Sequence, residues 1–346
     1  MTFEAHLKQT DRSARDAGNR ERHDVVAAVE IGLNAAILAV RKDEPVVLVV
    51  RPKPENGSAI DALPFGPFSP LEHRTLDIGL RRWVADQTGL DLGYVEQLYT
   101  FGDRGRHAQP GDTTPHIVSI GYLALTRPSD DAEDRGHWQS WYDYFPWEDW
   151  RRGRPAILAD VIEPKLLAWA ERPALQTAPV RPIQRSERLR VCFGIGGGGW
   201  DEEKVLERFE LLYEAGLLEE ARRDGREAAL TWGSQRLGAA MRFDHRRILA
   251  TAISRIRAKI KYRPVIFEMM ADEFTLYELQ KTVEAILGPH LHKQNFRRLV
   301  ESAGLVEPTG EVRAKTGGRP ARLYRFRREV LLERPAPGVR VKPGRS

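Results

Sequence analysis

Residues 274–306 read FTLYELQKTVEAILGPHLHKQNFRRLVESAGLV, and this stretch decides the fold of the C-terminal part of the chain. Thr275 followed three residues later by Glu278 is typical of a capping box, so we expect a helix to begin there. Gly288 interrupts the helix, and a second helical pattern follows, with Phe296 on its apolar side. Two helices joined by so short a turn predict a helix-turn-helix.

The next segment, residues 305–328, predicts two strands around a basic loop, which completes a winged helix. On the exposed side of the second helix, Arg and Lys match guanine acceptors, whereas Asn and Gln match adenine. Cations of the wing can neutralise phosphates or enter a minor groove, and glycine lets the loop approach DNA closely. The predicted DNA contacts are Lys293, Gln294, Asn295, Arg297 and Arg298 on the helix and Lys315, Gly318, Arg319 and Arg322 on the wing. The alternative is a winged helix that contacts only proteins.

Charge is distributed unevenly along the 346 residues. The whole chain has 54 Lys and Arg against 49 Asp and Glu, a net charge of +5. From Arg242 to the end there are 23 basic and 11 acidic residues, so this part carries +12 and the remainder carries −7. An acidic body with a basic end indicates a polyanionic partner at one end only, the alternative being a solvated charged face.

Composition excludes several classes of protein. The length favours two domains. Cys192 is the one cysteine of the sequence, so an intramolecular disulfide or a cysteine-based zinc site cannot form, and we expect a cytoplasmic protein. The most apolar run, residues 25–40, contains Glu30 and Asn34, which excludes a membrane span there. His290 and His292 have no third ligand nearby, so we predict no metal site.

The N-terminal part predicts a mixed α+β body after a disordered tail at residues 1–23. Predicted strands are two at 25–50, one at 94–103 and one at 116–126, and predicted helices are those at 70–88 and 156–170. Farther along, residues 188–195 (RLRVCFGI) predict a strand before the glycine run 194–199, and residues 244–262 predict an amphipathic helix. The glycine run also permits a dinucleotide-binding interpretation, which lacks a second parallel strand.

A degenerate catalytic motif lies in the predicted helix at 70–88. Gly66-PFSPL-Glu72, followed by RWVADQTGL at 82–90, resembles a Nudix box, whose glutamates hold magnesium ions that activate water. With the motif anchored on Gly89, its three glutamate positions are occupied by Trp83, Asp86 and Gln87. One carboxylate remains, which is too little charge to hold catalytic magnesium, so we predict no catalytic residues and no cofactor.

A Nudix-like body without catalysis, joined to a winged helix, resembles the Nudix-related transcriptional repressors of NAD metabolism. This NrtR-like family includes the NadQ-type regulators of alphaproteobacteria. The resemblance is strongest in residues 243–306 and 317–326. It implies a homodimeric repressor that binds a palindromic operator in double-stranded DNA upstream of NAD biosynthesis or salvage genes. It also implies that the Nudix-like domain senses ADP-ribose, NAD or a related nucleotide. Because the helix at 244–262 joins the body to the winged helix, we expect it to transmit the response and to contribute to dimerisation, the alternative being plain core packing.

The resemblance divides the chain into a Nudix-like domain at 24–262, a winged helix at 263–332 and a basic tail at 333–346. Residues 171–240 are expected to be an insertion. The candidate effector contacts are Arg51, Arg82, Phe101, Asp103 and Arg106. The alternative function is an ADP-ribose or nucleotide pyrophosphatase with an attached DNA-binding domain.

Overall fold

Two strands joined by a tight turn begin the body. The computed structural model describes residues 29–51, 60–103, 116–128, 136–172, 184–233, 237–314 and 320–333. Strands β1 (Val29–Arg41) and β2 (Glu44–Val49) pair antiparallel, with Arg41 opposite Glu44. Lys42 and Asp43 between them both have a positive φ, at 51° and 62°. A two-residue hairpin turn requires such a left-handed pair, and both strands predicted at 25–50 are confirmed.

Further strands extend this hairpin into a mixed sheet. They are β3 (Phe65–Pro67), β4 (Tyr94–Phe101), β5 (His116–Leu125) and β6 (His137–Ser140). The strand order is β4-β5-β1-β2-β6, with β3 also paired to β1. The β1–β5 pair is parallel, and the other pairs of this sheet are antiparallel.

Successive side chains of β1 enter two different cores. Leu33 and Ile37 face a small core under helix α1 (Leu76–Thr88), whereas Ala36 and Leu38 face a larger one on the opposite side. This alternation follows from the period of two of an extended strand.

Helix α1 has a cap at each end. The Thr75 side chain caps its start, so the helix begins six residues later than the predicted Pro70. Gly89 ends it with a φ of 72°. This left-handed glycine is the predicted C-terminal cap.

The larger core is covered by helices from the middle of the chain. They are α2 (Trp141–Tyr144), α3 (Glu163–Ala170), α4 (Arg185–Phe193), α5 (Val205–Glu214), α6 (Glu219–Arg223) and α7 (His245–Lys259). Single turns of 3₁₀ or π helix lie at Pro146–Glu148, Leu158–Ile162, Glu227–Thr231 and Val265–Met269. Helix α5 packs along α7 and buries Val205, Phe209 and Leu212, so the region predicted as an insertion belongs to the main core.

The strand predicted at 188–195 is wrong, because these residues form most of α4. Leu189, Cys192 and Phe193 are buried, and their spacing of three and four residues is that of a helix face. Gly194 ends the helix with a φ of 73°. Without the strand, the dinucleotide-binding interpretation of the glycine run loses its basis.

The C-terminal module has the predicted order. It consists of α8 (Leu276–Leu287), α9 (Lys293–Ala303), β7 (Val306–Arg313), β8 (Ala321–Phe326) and the short α10 (Val330–Glu333). Phe274 exchanges two backbone hydrogen bonds with Tyr324, of 2.9 and 2.8 Å, which adds a third segment to the hairpin. None of the helices in the described part of the chain has the length and apolarity needed to cross a bilayer.

Candidate functional site

The helix-turn-helix is fixed by one buried carboxylate. Glu284, in the last turn of α8, accepts hydrogen bonds from the Leu291 backbone N–H at 3.0 Å and from the side chains of Gln280 and Lys281 at 2.8 and 2.9 Å. Burial opposes its charge, but these hydrogen bonds, together with one from His290, outweigh the burial and hold the pKa of Glu284 below its ordinary value. The carboxylate therefore holds the turn after α8 against the last turn of that helix.

A groove opens where α8, α9 and the hairpin meet, and it contains cations from both α9 and the hairpin. Lys293 and Arg297 reach it from α9, and Arg322 reaches it from β8. All three side chains are exposed, whereas Phe296 and Val300 anchor α9 to the core. Such a positively charged groove can accept a phosphodiester backbone.

The other predicted DNA contacts divide into two groups. Gln294, Asn295 and Arg298 are exposed on α9 but do not line the groove. Lys315, Gly318 and Arg319 lie outside the described residues.

The body contacts the winged helix through the end of α8. The Arg257 guanidinium of α7 donates to the Ile286 carbonyl at 2.8 Å, and the Tyr142 hydroxyl donates to the Ala285 carbonyl at 3.0 Å. Both carbonyls belong to the last turn of α8, where no partner within the helix exists and a cation is favoured. This contact connects α7 directly to the winged helix.

The Arg257 side chain belongs to a buried ionic cluster. Its Nη1 lies 2.8 Å from Glu148 Oε2, and the same carboxylate binds Arg208 of α5 at 2.6 and 2.8 Å. All three side chains are fully buried. The Glu148 carboxylate thus connects α7 with α5, which lies in the region at 171–240.

Trp83 and Gln87, at two of the glutamate positions of the predicted motif, bind backbone groups of β3. Gln87 accepts a hydrogen bond from the Phe65 N–H at 3.1 Å and donates one to the Phe65 carbonyl at 2.5 Å. The Trp83 indole N–H donates to the Pro67 carbonyl at 2.9 Å. Both side chains therefore hold α1 against β3, and this donor set does not fit the magnesium ions of a Nudix hydrolase. Within the described ranges no group of three or more His, Cys, Asp or Glu side chains is arranged to hold a metal ion.

A small cleft beside this motif combines aromatic and polar walls. Phe65, Phe243 and His245 form a cluster in which ring centroids are 5.1 to 5.5 Å apart. Asn34 and Ser119, buried on β1 and β5, supply an amide and a hydroxyl. Aromatic faces with a few polar groups are typical of a nucleobase site. The cavity between these groups has a volume of about 20 Å³, which is room for one or two water molecules, so a base would enter only if the rings moved apart.

Backbone conformation also sets Phe243 apart. Its φ is 49°. This value lies in the left-handed region, which residues other than glycine seldom adopt. Strained backbone of this kind concentrates at ligand sites and switches. Phe243 directly precedes the cap of α7, the helix that reaches the winged helix.

The structure describes four of the five predicted effector contacts, of which three belong to ion pairs and one lies in the core. Arg51 bonds Asp61 at 2.8 Å, whereas Arg82 lies 3.8 Å from Glu72. Phe101 is only 3% exposed, so its ring is a core residue rather than an accessible ligand contact. Asp103 pairs with Arg247, whose guanidinium lies 5.1 Å from the Phe101 ring centroid. Arg106 lies outside the described residues.

The cleft residues were missed because they lie far apart along the chain and form no recognisable motif. Asn34 and Ser119 occur within apolar strands, and Phe243 is separated from Phe65 by most of the body. The signal available in the sequence was Asn34, a polar residue inside an otherwise apolar run.

Comparison with known proteins identifies a family for the C-terminal module and a similar fold for most of the chain. Residues 266–326 match the family model described as the NrtR DNA-binding winged helix domain. A segment of 92 residues is 41% identical to the "ADPR responsive transcriptional repressor NtrR" of Acinetobacter baylyi. That match covers 27% of this chain and 36% of the Acinetobacter protein, so it spans about a third of the relative.

The whole fold matches a solved structure. The crystal structure of Shewanella oneidensis NrtR complexed with a 27mer DNA aligns with a TM-score of 0.50 and 20% identity, over 86% of this chain and 94% of that one. The predicted fold class is confirmed: a Nudix-like mixed α/β domain is followed by a winged helix.

Proposed function

We propose, from the premise that residues 266–326 are an NrtR-type DNA-binding winged helix domain, that this chain is a transcriptional repressor controlled by a nucleotide. It acts as a homodimer on a palindromic operator near genes of NAD biosynthesis or salvage. The observation that carries the proposal is the groove in which Lys293, Arg297 and Arg322 converge from α9 and the hairpin. Cations from both elements of a winged helix match a duplex better than they match a protein surface.

The effector in this proposal is ADP-ribose or a related nucleotide, in line with the name of the Acinetobacter relative. The cleft of Phe65, Phe243 and His245 supplies stacking faces for its base. Arg51 and Arg82 remain candidates for its diphosphate, since both side chains are more than half exposed. Binding without cleavage follows from Trp83 and Gln87, which occupy two carboxylate positions of a hydrolase.

Coupling needs only a difference in ligand affinity between the DNA-competent state and the other state, about 1–3 kcal/mol. Phe243 precedes α7, and Arg257 of α7 contacts α8. A movement of the Phe243 ring on ligand binding can therefore be transmitted through α7 to α8 of the winged helix.

The test is a mobility shift on the DNA upstream of the chain's own gene, with and without ADP-ribose, NAD and ATP. We expect retardation that weakens steeply with salt and changes with one of the nucleotides. The double variant K293A/R322A should lose most of the retardation. Salt-independent binding, or none, contradicts the proposal, and magnesium-dependent release of AMP from ADP-ribose would favour the pyrophosphatase instead.

A second variant tests the sensing part separately. F243A should bind the same duplex and lose the response to nucleotide, because it removes a wall of the cleft. Y99A is the matched control, since Tyr99 is an aromatic residue on β4 that is 62% exposed and lies outside the cleft. An F243A protein that responds as the wild type does would exclude this cleft as the effector site.

A further inference from the structure

Helix α9 carries an acidic residue on the surface proposed to face DNA. Lys293, Arg297 and Glu301 follow one another at intervals of four and form one row along the helix. Glu301 is about half exposed. A carboxylate directed at a phosphate would be repelled, so a DNA-binding helix gains from it only where the carboxylate faces base edges or holds a cation.

The structure shows which cation it holds. Glu301 Oε1 accepts a hydrogen bond from Arg297 Nε at 3.0 Å. The carboxylate raises the pKa of Arg297, and the nearby Tyr324 of the hairpin raises it by a smaller amount. The guanidinium is thus bound along its Nε edge by a neighbour one helical turn away.

This mode of binding uses the Nε–H of the guanidinium, and 58% of the Arg297 side chain is exposed. Arginine has five N–H groups in a planar fork, of which the Nε–H is used by Glu301. The two Nη groups can then donate in parallel to O6 and N7 of one guanine. Because Glu301 already restricts the side chain, less rotamer entropy is lost when the guanine binds.

We propose, resting on the proposed repressor function, that Arg297 reads a guanine in each half-site and that Glu301 is the positioning residue that orients it. Lys293 and Arg322, which share the groove, contact the backbone on either side. Arg298 lies on the next row of the helix together with Gln294, so its contribution is separate. The specificity of the winged helix for that base pair therefore depends on the Glu301 side chain.

The experiment selects sequences from a randomised duplex pool with the full-length chain. Affinities are then measured for the enriched duplex and for versions in which each guanine is replaced in turn. The variants are E301A and R297K, the latter because a lysine ammonium cannot donate to guanine as a bidentate fork. The matched control is E307A, since Glu307 binds Arg325 by the same Nε geometry at 2.6 Å, away from the residues that line the groove.

We expect E301A and R297K to lose discrimination at the same guanine, by about 10- to 100-fold, and E307A to retain it. E301A should bind unrelated duplexes at least as well as the wild type, because it removes a negative charge. Melting temperatures establish that each variant is folded.

Three results would overturn the inference: unchanged discrimination in E301A, equal weakening on every duplex, or loss at a different guanine from that of R297K. If the wild type enriches no sequence, the proposed repressor function falls and this inference falls with it. A wild type that enriches an operator while E301A behaves like E307A removes the inference alone.

Discussion

Replacing Glu148 by glutamine tests the buried ionic cluster of Glu148, Arg208 and Arg257, which connects α7 with α5. In the wild type, one carboxylate serves two guanidinium groups that have no access to water. Its two oxygens accept hydrogen bonds from Arg208 at 2.6 and 2.8 Å and from Arg257 at 2.8 Å. A glutamine has the same shape but one acceptor oxygen, so an NH₂ group must face at least one of the arginines.

The cost follows from the burial of all three groups. Removing one partner of a buried ion pair leaves an uncompensated charge, which costs about 3–5 kcal/mol. The whole free energy of unfolding of a domain is about 5–15 kcal/mol, so E148Q should lose a large fraction of it. The control is E163Q, because the Arg154–Glu163 pair is partly exposed and should contribute no more than about 1 kcal/mol.

Urea denaturation, followed by tryptophan fluorescence at neutral pH, measures the difference. With a slope of about 3 kcal/mol per molar urea, E148Q should lower the midpoint by about 1–1.7 M, and E163Q should lower it by less than about 0.3 M. The DNA affinity of E148Q should also fall, because Arg257 holds the end of α8. A midpoint for E148Q within the range of E163Q would refute the reasoning.

Three further predictions concern single sites. Gly66→Ala should destabilise by about 1–3 kcal/mol in thermal unfolding, because its Cβ would lie 2.2 Å from the Trp83 ring, and W83A should relieve part of the loss. Glu284→Gln should destabilise the winged helix by about 1–3 kcal/mol at pH 7. Because the folded-state pKa of Glu284 is lowered, this difference should shrink as pH falls below the unfolded value of about 4.3, and circular dichroism at several pH values checks it; a constant difference contradicts the assignment. Arg322→Ala should reduce the slope of log affinity against log salt by about 1, and an unchanged slope would show that this residue contacts no phosphate.

The winged helix was predictable because its signals are local. The Thr275–Glu278 capping box forms with hydrogen bonds of 2.7 and 3.2 Å. Gly288 ends α8 at a φ of 97°, and the two strands follow in the predicted order. The cap and the glycine that ends α8 depend on residues only a few positions apart, so the sequence contains these signals directly.

In helix α4 the local sequence pattern predicted the wrong secondary structure. RLRVCFGI has apolar residues at alternate positions for part of its length, which favours a strand. In the structure the segment instead buries Leu189, Cys192 and Phe193 in the core beneath it. Short segments have weak intrinsic preference, so tertiary packing decides between the two conformations.

The order of the elements in the winged helix and four of the six described strands of the body were predicted from the sequence, which also has Trp and Gln rather than carboxylates at positions 83 and 87. Only the tertiary structure decided which distant residues meet. Glu148 contacts Arg208, which is 60 residues away in sequence, and Arg257, which is 109 residues away. The Phe65 ring likewise contacts the Phe243 ring. Hydrogen bonds within a turn or a cap depend on neighbours along the chain, whereas a buried ion cluster or an aromatic cleft forms only when the core closes around it.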